Sequence, residues 1–90
     1  MTHKDMTARL REALKTEGIK ARVSMMTACK TRYIRVITPE YGAWFKPSEI
    51  LRLATIAKDM GLTGAQGSPI DPALEVQLFK KDQWSFEFHG

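Results

Sequence analysis

The chain holds one cysteine, two histidines and no long apolar run. Cys29 has no partner, so a disulfide framework is excluded and packing alone must hold the fold. His3 and His89 lie near the two ends of the sequence, where preorganisation is expected to be poor. A thiol hydrolase needs a positioned base and a third group to orient it. A structural zinc needs four ligands at closer spacing. Neither pattern is present, so no catalytic residue, metal or cofactor is expected. No stretch approaches the roughly 20 apolar residues that cross a bilayer. Met1-Thr2-His3-Lys4-Asp5 is not followed by the apolar core of a signal peptide, and the expected location is the cytoplasm with no membrane partner. At 90 residues the chain supplies one core, two layers deep, as a single domain over 1–90. A full dinucleotide-binding fold does not fit that length. The hydrophobic fraction of 43% is that of a folded protein.

What the chain does have is unevenly placed charge. The formal net charge is +4. Residues 1–46 carry ten basic and four acidic side chains, whereas 47–90 carry four basic and six acidic ones. Such a split points to one positive face that attracts phosphates or an acidic protein surface. A small domain also gains solubility from a net charge of this size.

Met6, Leu10 and Leu14 form one stripe of an amphipathic helix, with Thr2 and Asp5 as a loose capping box and Gly18 as the stop. Ile19, Ala21, Val23 and Met25 alternate with Lys20, Arg22 and Ser24, the period of a strand. Thr27-Ala28-Cys29-Lys30 reads as a connector to a second strand, Thr31 to Thr38, in which Ile34 and Val36 share one face and Tyr33, Arg35 and Ile37 the other. The pair is expected to form an antiparallel hairpin that Pro39 ends. Pro47 opens a second helix whose buried stripe is Ile50, Leu53, Ala54, Ala57 and Met60, stopped at Gly61. Gly61 to Pro72 is turn-rich and is the segment expected to move most. Residues 72–79 fit a short helix, with Asp71 as cap and Leu74 and Leu78 one turn apart; they also fit a strand, and the helix is preferred. Lys80 to Gln83 is a turn, and Trp84, Phe86 and Phe88 alternate as a last strand. The expected fold is α+β: a small antiparallel sheet of about three strands with two main helices on one face, in the order helix, strand, strand, helix, short helix, strand.

With Ile34 and Val36 inward, Lys20, Arg22, Tyr33 and Arg35 are expected to point outward together, with Lys30 at the hairpin tip and Arg32 at its edge. Guanidinium and ammonium groups pair with phosphates, and a tyrosine ring stacks on an unpaired base. The alternative is a solvated face whose charges deter edge pairing. Tyr41 and Trp44, in the loop before the second helix, form a second and weaker candidate surface, because aromatics are enriched at binding hot spots. Against that, Trp44 and Phe45 are placed to close the core beneath the helix. Gly61-Leu62-Thr63-Gly64 has the GxxG form of a phosphate clamp, but the helix that such a clamp requires does not follow directly.

The runs Leu10-Arg11-Glu12-Ala13-Leu14-Lys15, Gly18-Ile19-Lys20-Ala21-Arg22-Val23-Ser24 and Ile34-Arg35-Val36, then a proline and a second helix, resemble the large polyvalent protein-associated domain group of phage and mobile-element proteins. The resemblance covers about residues 8–60 and leaves the C-terminal third unmatched. It implies a phage or plasmid setting and an accessory binding role, and it brings no catalytic residues. Stand-alone proteins of this size in that setting include inhibitors of host defence, anti-CRISPR proteins among them. The implied partner is a host protein or ribonucleoprotein. Inhibitors that imitate DNA are strongly acidic, so this basic chain is expected to dock on its target rather than replace DNA. The rival expectation is a DNA- or RNA-binding module that uses the same hairpin face. Monomer and homodimer both fit.

Overall fold

In the computed structural model, which describes residues 1–40, 42–79 and 82–90, the first helix starts where its cap does. Thr2 Oγ1 accepts from the Asp5 amide at 3.1 Å, and α1 runs His3–Thr16. Gly18, at φ +75°, takes the left-handed turn that lets the Ile19 amide bond back to the Leu14 carbonyl at 2.9 Å. Met6, Leu10 and Leu14 are buried, as their spacing requires. Strand β1, Arg22–Ala28, then pairs antiparallel with β2, Thr31–Ile37, from Arg22 opposite Ile37 to Ala28 opposite Thr31.

The hairpin is tighter than the sequence suggests. The connector read at residues 27–30 shrinks to Cys29 and Lys30, because Thr27 and Ala28 remain in the ladder. Both turn residues have positive φ, +49° and +65°, the signature of a type I′ turn that matches the twist of the strands. Neither residue is at ease there. Replacing Cys29 by Asn and Lys30 by Gly is therefore expected to raise stability by roughly 1 kcal/mol, read as a higher urea midpoint at unchanged slope.

Pro47 opens the second helix as expected, with Lys46 as its cap. The Lys46 amide donates to Glu49 Oε1 at 2.9 Å, and α2 spans Pro47–Asp59. Ile50, Leu53, Ala54 and Ala57 are completely buried. After Gly61 the chain is tied to the last strand. Thr63 forms an antiparallel bridge with Glu87, in both directions, at 3.1 and 2.8 Å. A 3-10 turn at Ala65–Gly67 follows. The choice at 72–79 falls to the helix: α3 covers Pro72–Leu78, with Asp71 Oδ1 accepting from the Ala73 and Leu74 amides. Its spacing misleads in one respect. Leu74 and Leu78 face solvent, and Val76 and Phe79 pack against the core instead.

Strand β3, Gln83–Phe88, completes a sheet in the order β1-β2-β3. The described residues make an α+β fold of three helices, one 3-10 turn and a three-stranded antiparallel sheet. Its core joins α1 and α2 to Val23, Ile34, Val36, Trp84, Phe86 and Phe88 on one sheet face. Met25, expected to share that burial, is 50% exposed, because it lies on the edge strand toward the hairpin tip. Among the described residues, no helix is long and apolar enough to cross a membrane.

Candidate functional site

Among the described residues no helix covers the other sheet face, and only its Glu87 corner is closed, by the turn at Gln66. Opposed residues in an antiparallel pair share a face, so Arg22, Ser24, Met26 and Ala28 of β1 stand beside Ile37, Arg35, Tyr33 and Thr31 of β2. Gln83, Ser85 and the buried Glu87 of β3 extend that row, Glu87 beside Tyr33. Arg22 and Ser24 are exposed, and Met26, Tyr33, Arg35 and Ile37 are half-buried. Three of the expected basic-face members, Arg22, Tyr33 and Arg35, are thus brought together, and Lys30 stands exposed at the tip.

Arg35 holds the centre. Its Nη2 donates to Gln83 Oε1 on β3 at 2.6 Å, and its Nη1 lies 3.9 Å from Met26 Sδ on β1. The guanidinium thereby reaches across all three strands with donors to spare. Its Nε is buried without a partner among the described residues. The carboxylate nearest in register, Glu87, is occupied. It is buried, its Oε2 accepts from the Gln66 amide at 2.5 Å, and its Oε1 lies 3.1 Å from His89 Nε2. Glu87→Ala strands that amide and loosens the loop it anchors. The expected cost is about 1–3 kcal/mol, with faster hydrogen exchange at Gln66 and Thr63 than in the parent.

Two of the proposed residues lie elsewhere. Lys20 precedes the strand, so the alternation that was to carry it outward does not apply. It lines a groove with Arg11, Lys15 and Pro39 beside the end of α1. Arg32 shares register with Phe88 on the helix-covered face, where its guanidinium sits 4.9 Å from the Phe88 ring and donates to the Gly90 carbonyl at 2.8 Å. Its parity, one residue from Tyr33, already placed it there. In the second candidate surface Trp44 is 64% exposed, while Phe45 closes the core under α2. Only Phe45 therefore follows the core-closing reading. Tyr41 lies outside the described residues.

The histidines are better held than their positions implied. His3 Nε2 is 2.8 Å from the Tyr33 carbonyl, and its ring stacks on Phe88 at 5.7 Å. The sequence gives no warning of either contact, because they join residues far apart in the chain. Cys29 is exposed in the hairpin turn. Among the described residues, no three His, Cys, Asp or Glu side chains converge as a metal site would require. The GxxG segment is committed to the Thr63 bridge and a 3-10 turn rather than to the start of a helix.

No family model, curated protein or solved structure matches this chain.

Proposed function

We propose that the chain is a non-catalytic accessory binding protein of the phage or mobile-element type, which docks on a host protein or ribonucleoprotein through the open face of its sheet. The observation that carries this reading is the composition of that face. Arg35 stands at its middle, with Met26 and Tyr33 half-exposed on one side and Ile37 on the other, and Arg22 and Lys30 lie toward its two ends. Methionine, tyrosine and arginine side chains grouped on one exposed face are the residue types enriched at protein interfaces. An anti-CRISPR role is the form of this reading that the basic charge allows, with docking on the effector in place of DNA imitation.

A second reading, a nucleic-acid module, draws on the same arginines with Tyr33 among them. Among the described residues the face offers one aromatic ring, a thin platform for stacking bases. The two readings separate on salt and nuclease. A protein interface retains its partner after nuclease treatment and weakens modestly with salt. Phosphate binding falls steeply with log salt. Capture of a stoichiometric, nuclease-resistant partner from bacterial lysate supports the first reading. Retardation of DNA or RNA at low salt, with nothing retained after nuclease, supports the second.

A further inference from the structure

The far edge of the sheet carries an independent feature. In the β2–β3 ladder the Thr38 amide donates to the Asp82 carbonyl, which fixes Trp84, Phe86 and Phe88 as the residues that bond to β2. The amides and carbonyls of Gln83, Ser85 and Glu87 therefore point the other way. Thr63 satisfies Glu87 in both directions. Among the described residues, Ser85 and Gln83 have no such partner on that edge. A fourth strand thus begins with one residue of the chain itself and then stops.

Beside the vacant part of the edge lies a groove of about 700 Å³ between β3, the 3-10 turn and α3. Leu74 and Leu78, 47% and 61% exposed, line its α3 side. Asp71, Glu75 and Asp82 also line it, and no lysine or arginine does among the described residues. Glu75 Oε2 is buried there without a hydrogen-bond partner among the described residues. Burial, and secondarily the Asp71 carboxylate, push the Glu75 carboxyl above its ordinary range.

We propose that this edge is a strand-addition site for an extended segment of a partner protein that carries an apolar and a basic side chain two positions apart. The segment runs antiparallel to β3, continuing the direction in which Thr63 pairs. Its backbone bonds to Ser85 and Gln83. Residues flanking the one opposite Ser85 point toward α3, where an apolar side chain covers Leu74 and Leu78 and a lysine or arginine meets Glu75. Backbone bonding supplies general affinity, and the alternate side chains supply choice, as in other β-augmentation sites. The site uses the backbone of Gln83 and Ser85 and not the arginines of the open face, so it stands or falls separately from the docking face proposed above.

The test is selection of random dodecapeptides on the immobilised full chain, followed by binding measurements with the enriched peptides. They are expected to carry an apolar residue two positions from a Lys or Arg, and to slow exchange of the Ser85 and Gln83 amides at least tenfold. Methylating alternate peptide amides should abolish binding in one register and spare it in the other. Leu74→Asp with Leu78→Asp should weaken binding at least tenfold while leaving circular dichroism unchanged, since both leucines face solvent. Arg22→Ala with Arg35→Ala should leave it unchanged. Peptides that bind equally well to the Asp variant, tolerate methylation in both registers, or depend on Arg22 and Arg35 overturn the proposal. So does failure to enrich any peptide, or a dimer in sedimentation that the Asp variant dissolves, since the edge then serves a second copy.

Discussion

Phe86→Ala is expected to remove about 3–5 kcal/mol of stability, the range for deleting a buried aromatic side chain. Phe86 is 1% exposed, pairs with Ile34 across the sheet and stacks on Trp84 at 5.9 Å. It stands where the last strand meets the helix layer, so the cavity has little freedom to collapse. A small domain has roughly 5–15 kcal/mol in total, and the variant should therefore show a much lower urea midpoint or be partly unfolded at 25 °C. Leu78→Ala provides the contrast. That side chain is 61% exposed and should change stability by no more than about 0.5 kcal/mol. Equal losses for the two variants would mean that α3 packs the other way round.

The second large effect concerns the open face. Replacing Arg22 and Arg35 together by Glu is expected to weaken partner binding on the order of 100-fold, because two like charges then face a surface chosen for cations. Arg22 is exposed and contributes little to folding. Arg35 is half-buried and gives up its bond to Gln83, so a stability loss of about 1 kcal/mol should accompany the change. Isothermal titration with the captured partner and urea unfolding of the same variant separate the two effects. If binding falls only in proportion to the unfolded fraction, the arginines are not interface residues.

The fold was largely readable from patterning. Met6, Leu10 and Leu14, the Pro47 start, and the alternation of Trp84, Phe86 and Phe88 each repeat one local rule over several residues, and each element forms where its pattern lies. Readings failed where a local rule met a boundary that only tertiary structure sets. Alternation from Ile19 to Met25 ignored the fact that the ladder starts at Arg22, so Lys20 was assigned to a face it never reaches. The spacing of Leu74 and Leu78 is helical, but nothing in a seven-residue helix says which side its neighbours will cover. The contacts of His3, Arg32, Gln66 and Glu87 join distant positions and leave no trace in local sequence. Half of the candidate face was nonetheless visible, because Arg22, Tyr33 and Arg35 share parity across one hairpin with a strong hydrophobic pattern beneath it.

The central claim is that the open sheet face contacts the partner. A photo-crosslinking amino acid at Ser24, exposed on that face beside Arg35, tests it directly against the same group at Lys58, exposed on α2. In nuclease-treated lysate of a susceptible bacterium, the Ser24 position should give one dominant protein adduct that disappears in the Arg22→Glu, Arg35→Glu background, and the Lys58 position should give none. Adducts from Lys58 with none from Ser24 would contradict the account and place the interface on the helical side.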